Sequence, residues 1–250
     1  MNNKQYTNIT AIIEARMNSS RLPGKVLLEV NKQPMLYYLV KRLKSVKLID
    51  TICLATTTDS SDDVLESFAK KNSISCFRGS ENDVMGRVLN ASHKFNADLV
   101  IEITGDCPLI DPNLVSQAIE IFINNDVNYV NNNTIRSYPD GMDIRIFEPK
   151  TLLKSYNLTK SSLEREHVTL HIKKNPDIFS YINIIAPPNL NYPNIGLTLD
   201  EESDYILIKK IIESLSIKNI LFDCETILNL INKDTHLLKI NKDVKRKGDN

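Results

Sequence analysis

ITAIIEARMNSSRLPGK, residues 9–25, decides how the chain is read. An apolar, β-rich run, ITAII, leads directly into a loop that holds three cations, Arg16, Arg21 and Lys25, around two serines, Ser19 and Ser20, and a Pro-Gly turn. A solvated turn needs little charge, so this set points to a ligand with several negative charges, most simply a polyphosphate. The loop lacks the GxxxxGK[ST] spacing of a P-loop, because Val26 follows Lys25 and no glycine stands five residues before Gly24; GxGxxG is absent too. With only seven glycines in the chain, phosphate binding would rest on cationic side chains and a few backbone amides. The alternative is that the arginines pair with surface carboxylates.

Outward from this loop, β-rich runs recur at TICLATT, ISCF, DLVIEIT and VNYVNN. Between them lie segments of helical periodicity, PMLYYLVKRLKSV, SDDVLESFAKKN, NDVMGRVLNASHKF and PNLVSQAIEIFINN. Alternation of strand and helix over residues 8–132 predicts parallel strands joined by right-handed crossovers, with helices on both faces: an α/β, Rossmann-like three-layer sandwich. Ligands of such sheets bind beyond the carboxyl ends of the strands, where the basic loop must lie. Past residue 133 the pattern becomes irregular, which predicts an excursion over about 133–190 that returns near Asp200. The expected organisation is one domain over 1–235 and a polar, basic, solvated tail over 236–250.

EITGDCPLIDP, residues 102–112, places a carboxylate at the end of another strand, in a turn shaped by Gly105 and Pro108. Asp106 would face the same ligand edge as the basic loop and could hold magnesium, which takes one or two carboxylates plus phosphate oxygens; otherwise it is a turn former. Asp111, before PNLVSQAIEIF, reads as a helix N-cap. In LTLDEESDY, residues 197–205, Asp200 alone reads as the cap of the next helix. If its strand returns beside the one that ends at Asp106, two carboxylates converge on one cation.

Composition bounds the partners. Hydrophobic residues make up 42% and charged residues 25%, and 31 basic side chains balance 31 acidic ones, so global charge favours neither nucleic acid nor a membrane surface. No signal-peptide-like segment opens the chain and no run approaches a membrane span, so a cytoplasmic location is expected. The four cysteines are scattered without a CxxC pair, which predicts free thiols. Cys107, beside Asp106, reads as a small half-buried residue rather than a nucleophile.

Taken together, ARMNSSRLPGK, GDCPLID, PDGMDIRIF, EREHVT and TLDEESDY, in this order, resemble the cytidylyltransferases that activate acidic sugars. These include the CMP-3-deoxy-manno-octulosonate and acylneuraminate synthetases and, nearest in pattern, the spore coat polysaccharide branch. The resemblance spans roughly residues 9–215 and implies a fold of the nucleotide-diphospho-sugar transferase type. It implies that Arg16, Ser19, Arg21 and Lys25 cradle CTP, with Ala15 and Thr56, in ATTTD, near the base. Asp106 and Asp200 match magnesium-binding carboxylates, and Arg16, Lys25, Asp106 and Asp200 would then be the catalytic set. Asp140 and Asp143 in PDGMD, and Glu164, Arg165 and His167 in EREH, resemble acceptor-pocket positions, where Arg165 or Arg136 could grip an anion bidentately. The family pattern also implies a homodimer and a small acidic sugar as second substrate. Two other readings stay open: a sugar-phosphate nucleotidyltransferase that uses another base, and a non-catalytic nucleotide-binding subunit. A glycosyltransferase would be expected to carry a DxD motif, which GDCP does not supply.

Overall fold

The computed structural model describes residues 5–217 and 219–246. Its strands are β1 (Ile9–Glu14), β2 (Glu29–Val30), β3 (Gln33–Pro34), β4 (Thr51–Thr57), β5 (Ser75–Gly79), β6 (Leu99–Thr104), β7 (Tyr129–Asn131), β8 (Arg145–Phe147) and β9 (Tyr181–Asn183). The helices are α1 (Met35–Lys44), α2 (Asp63–Lys71), α3 (Val84–Lys94), α4 (Pro112–Ile123), α5 (Pro149–Leu158), α6 (Ser162–Glu166), α7 (Leu170–Lys174), α8 (Glu202–Leu215) and α9 (Cys224–Lys233). Seven strands form one sheet in the order β5-β4-β1-β6-β8-β7-β9, and β2 with β3 make a small hairpin.

Side-chain alternation along β1 shows why the sheet is covered on both faces. Ala11 and Ile13 join one core cluster, with residues of α1, α2, α4, α8 and α9. Ile12 points the other way, into a second cluster built mainly from α3 and α5. Both faces are therefore apolar for most of the strand length, as buried parallel strands require. The second face changes character at its carboxyl end, where Glu14 and Glu102 replace apolar side chains.

The four strands β5, β4, β1 and β6 pair in parallel, as the alternation of strand and helix predicts. The chain leaves β1 toward β4 and β5 and then crosses back to β6 on the other side of β1. The strand order thus reverses between β1 and its neighbours, which opens a crevice at the ends of β1 and β6. Beyond β6 the expected parallel sheet is interrupted. Helix α4 carries the chain one place further out to β7, and β8 fills the gap antiparallel to both neighbours. Residues 132–144 return from β7 to β8 without a crossover helix, and the two strands pair antiparallel. The register of β8 on β6 sets Arg145 opposite Glu102.

Asp111 caps α4 by accepting from the Asn113 amide at 2.8 Å, and its other oxygen accepts from the Cys224 amide at 2.9 Å, which ties α9 to this corner. Asp200, in contrast, does not cap α8. Glu201 is the N-cap, in a reciprocal capping box with Asp204. The returning segment before it joins the sheet region through loop contacts rather than as a sheet strand: Asp140 bridges Gly196 and the Leu199 amide donates to Asp106 O at 2.9 Å.

The expected solvated tail needs correction. Residues 235–239 form a short 3-10 helix, Leu237 and Asn241 are buried, and Arg246 bonds to Thr198 and Asp204. Polar composition misled here because these polar groups are spent on buried partners. Residues 1–4, 218 and 247–250, which the expected domain and tail include, lie outside the described residues.

Candidate active site

The basic loop is held from below by a residue that its own sequence does not reveal. Asp62, buried at the start of α2, accepts from the Met17 amide at 2.7 Å, from the hydroxyls of Thr56 and Thr57, and from the Thr57 amide. Four donors hold its carboxyl below the usual carboxylate range although burial pushes the other way. Thr56 is therefore a buried support under the loop and does not line the ligand cavity, contrary to its expected place near the base. At the other side of the crevice the Gly105 amide donates to Glu14 O at 2.7 Å. A side chain at Gly105 would put its Cβ 2.8 Å from that oxygen and 2.9 Å from the Ala15 Cβ, so only glycine lets the two loops approach this closely.

Lys25, Asp106 and Asp200 meet at one point. The Lys25 ammonium donates to Asp106 Oδ2 at 2.8 Å and to Asp200 Oδ1 at 3.0 Å, and Arg21 Nη2 lies 2.8 Å from the same Asp200 oxygen. Burial opposes charge on both Asp106 and Lys25. For Asp106 the nearby ammonium and the Thr104 hydroxyl prevail and lower its pKa; for Lys25 the two carboxylates prevail and raise it. Two carboxylates thus converge on the Lys25 ammonium, although the segment that carries Asp200 does not return as a sheet strand.

Among the described residues no group of three or more His, Cys, Asp or Glu side chains forms a metal site. A pair of carboxylates within reach of one cation is nevertheless what magnesium uses when phosphate oxygens complete its shell. Asp106 and Asp200 fit that requirement.

Two cavities flank this pair. The first, about 260 Å³, is lined by Ala15, Arg16, Ser19, Arg21, Lys25 and Arg87, among others. The second, about 480 Å³, is lined by Arg136, Asp140, Asp143, Arg145, Lys173 and Lys174, among others. Arg21, Thr104, Asp106, Glu166, His167 and Asp200 line both. The carboxylate pair is therefore part of a wall common to two binding spaces.

The expected acceptor residues divide. Asp140, Asp143 and His167 line the second cavity. Arg165 does not: it stacks on Tyr156 at 3.3 Å, donates to Tyr156 O at 2.8 Å and reaches Asp83 at 3.3 Å. Glu164 accepts from the Thr159 hydroxyl. In the short helix α6 these two side chains turn toward α5 and the α3 N-terminus, and Glu166 takes the cavity side. Arg136 does line the cavity but is engaged bidentately by Asp143, at 2.9 and 3.1 Å. Burial and the Asp143 charge raise Asp140 to about 6, with Arg136 and Arg246 pulling the other way. Cys107 is buried and its thiol is pushed up by burial and by Asp106, which leaves it an inert packing residue.

Sequence reading also missed a carboxyl pair beneath the first cavity. Glu14, half-buried on the sheet face that α3 covers, lies beside Glu102, and the inner oxygens Glu14 Oε1 and Glu102 Oε2 are buried without a hydrogen-bond partner. Glu102 in turn accepts from Arg145 at 3.0 Å. Burial, followed by the Glu102 charge, raises Glu14 well above the ordinary carboxylate value, with Arg87 and Arg145 pulling the other way. The available signal was the unusual glutamate at the end of the apolar run in ITAIIE.

With this geometry in view, the comparisons are decisive. Residues 10–230 match the family model described as cytidylyltransferase. The chain belongs to the cytidylyltransferase family. It is 32% identical over 209 residues to the spore coat polysaccharide biosynthesis protein SpsF of Bacillus subtilis, covering 81% of this chain and 85% of that one. A solved cytidylyltransferase from Leptospira borgpetersenii superposes with a TM-score of 0.88 at 30% identity, covering 96% of this chain and 99% of the other. An 8-amino-3,8-dideoxy-manno-octulosonate cytidylyltransferase of Shewanella amazonensis is 35% identical over 116 residues, 46% of this chain and 47% of that protein.

The carboxyl pair gives a stability signature. Because the folded pKa of Glu14 lies above the unfolded value of about 4.5, its support for the fold is complete below that pH and is lost as pH rises through the folded value. Glu14→Gln, which removes this titration, is expected to gain stability relative to wild type between pH 4.5 and neutrality. Urea unfolding of both proteins across that range checks it; a difference that does not change with pH contradicts the raised Glu14 pKa.

Proposed function

We propose that this protein transfers CMP from CTP to an acidic or otherwise anionic sugar and releases pyrophosphate, with Mg2+ held by Asp106 and Asp200. The common wall of the two cavities supports this reading above all else. A transfer between two substrates needs both reacting atoms in contact at one charged point, and Lys25, Asp106 and Asp200 stand where the two spaces join. In this reading the triphosphate lies along Arg16, Ser19, Arg21 and Lys25, the sugar fills the second cavity, and the sugar oxygen meets the α-phosphorus at the wall. The bond from the α-phosphorus to the bridging oxygen breaks as the new oxygen–phosphorus bond forms, its electron pair leaves with pyrophosphate, and the proton of the attacking hydroxyl passes to solvent. Arg21 and Lys25 neutralise charge that gathers on the departing pyrophosphate. Magnesium on the carboxylate pair would supply Lewis-acid neutralisation at the α-phosphate. No side chain has to act as a nucleophile, and Cys107 is unsuited to it. The names of the SpsF and octulosonate relatives support a sugar acceptor and a part in polysaccharide or glycoconjugate biosynthesis.

The reading places the protein in the cytoplasm as a homodimer. Among the described residues no helix is long and apolar enough to cross a membrane. In the excursion Val168 and Ile172 of the LEREHVTLHI stripe pack inside the chain's own core, but Ile135 at 63% exposure, Ile185 at 52% and Leu163 at 50% remain outside. A second copy would cover such side chains. Light scattering at micromolar concentration is expected to give twice the 28.4 kDa chain mass; a monomer would refute the dimer.

The catalytic reading is tested by pyrophosphate release with the common nucleoside triphosphates against 3-deoxy-ulosonic acids, nonulosonic acids and sugar phosphates. CTP with an acidic sugar is expected to give the fastest magnesium-dependent turnover. Better turnover with another triphosphate would overturn the cytidylyl assignment, and turnover with no pair would favour a binding subunit.

The two kinds of residue at the wall should fail differently. Asp106→Asn is expected to keep most of the CTP affinity, since the cations remain, and to lose turnover by about a hundredfold or more. Lys25→Ala should weaken binding and turnover together. Calorimetric affinities beside steady-state rates distinguish the cases, and near-normal turnover of Asp106→Asn would remove that carboxylate from the chemistry.

A further inference from the structure

The end of the described chain reaches into the site. Asn241 donates to Gly196 O at 2.9 Å and to Asp204 Oδ1 at 2.7 Å. Arg246 then donates through Nη1 to the Thr198 hydroxyl at 2.6 Å and through Nη2 to Asp204 Oδ1 at 2.8 Å, and its Nε lies 3.6 Å from Asp140 Oδ2. The basic loop holds the same segment from the other side, because Arg21 Nη1 donates to Lys245 O at 3.0 Å.

Asp204 explains why these contacts matter to the carboxylate pair. It is fully buried, so its charge has to be met by protein donors. While Oδ1 takes Arg246 and Asn241, Oδ2 accepts from the backbone amides of Asp200 at 3.1 Å and Glu201 at 2.9 Å. One guanidinium therefore touches an acceptor-cavity carboxylate directly and, through Asp204, secures the backbone that carries Asp200. Gly196 makes the room. A Cβ there would lie 1.8 Å from Arg246 Nη2 and 2.0 Å from its Cζ, so even alanine would expel the guanidinium.

We propose that Arg246 is a positioning residue for the acceptor, setting Asp140 inside the second cavity and Asp200 at its wall. The acceptor role rests on the reading given under Proposed function; the tie itself does not. Among the described residues the segment touches the nucleotide cradle directly at Arg21 alone, so the larger effect should fall on the sugar rather than on CTP.

The test uses full-length Arg246→Ala, Arg246→Lys and Gly196→Ala, with Lys239→Ala, an exposed position, as control. Amide exchange of the ligand-free proteins is expected to be about tenfold or more faster at Asp200 and Glu201 in Arg246→Ala and Gly196→Ala, intermediate in Arg246→Lys, and unchanged in Lys239→Ala. With 3-deoxy-manno-octulosonate as acceptor probe, or whichever sugar the screen identifies, the acceptor KM should rise about tenfold while the KM for CTP stays within about twofold. Unchanged exchange at both amides in Arg246→Ala overturns the proposal, as does an equal rise of both KM values or an unaltered acceptor KM. A wild-type protein inert toward every acceptor overturns the functional reading and the acceptor role with it, whereas the exchange data still decide whether Arg246 holds Asp200 in place.

Discussion

The contact of one ammonium with two carboxylates, Lys25 with Asp106 and Asp200, constrains nearly everything around it. These residues come from three separated parts of the chain, the loop after β1, the turn after β6 and the segment before α8, and none has a reason to meet the others except through the fold. Two like charges at this spacing repel unless a cation lies between them. Lys25 therefore stabilises the closed arrangement while no ligand is bound, and a metal ion together with phosphate oxygens can take over the same electrostatic role. A site built this way keeps its shape in both states, as preorganised charge stabilisation demands.

From that point a line of alternating charge runs through the molecule. Asp140 contacts Arg136 at 3.3 Å, Arg136 grips Asp143, and Asp143 lies 3.8 Å from Arg145. Arg145 binds Glu102 at 3.0 Å, and Glu102 lies beside Glu14 under the first cavity. The antiparallel insertion of β8 makes this line possible, since it is the strand that sets Arg145 beside Glu102. An all-parallel sheet continuing directly to β7 would have left Glu102 without its Arg145 partner, with Arg87 still acting on Glu14. The irregular strand order and the buried carboxyl pair are thus one feature seen at two levels.

How much of this could be read from sequence follows the range of each signal. The basic loop and the Asp106 turn were legible because each is a local cluster after an apolar run, and the crevice between β1 and β6 follows from strand and helix alternation. Asp111 as a cap was legible for the same reason. What failed depends on direction or distance. EREH places four polar residues in one turn of helix, and which of them faces the cavity depends on the packing of α6 against α5, so Glu166 and His167 face inward while Glu164 and Arg165 do not. Asp62 supports the basic loop from 45 positions away in sequence, and no pattern near ARMNSSRLPGK announces it. Arg246 lies in a segment whose composition matches a frayed end; only the buried Asp204 and the absence of a side chain at Gly196 show that it has a place to dock.

The acceptor side carries a further constraint from charge. Arg136 and Arg145 look like anion receptors by type, yet both already serve buried carboxylates of the protein. Drawing Arg136 away from Asp143 would leave that buried carboxylate with Asn133 at 3.0 Å and Arg145 at 3.8 Å, a cost of up to about 3–5 kcal/mol. A single new contact between an acceptor carboxylate and that guanidinium is worth roughly 1.5–3 kcal/mol, so the exchange loses. Lys174, which is exposed at the mouth of the second cavity, carries no such debt. For the proposed reaction the acid group of the sugar therefore belongs near α7, and the interior carboxylates Asp140 and Asp143 are left to accept from sugar hydroxyls.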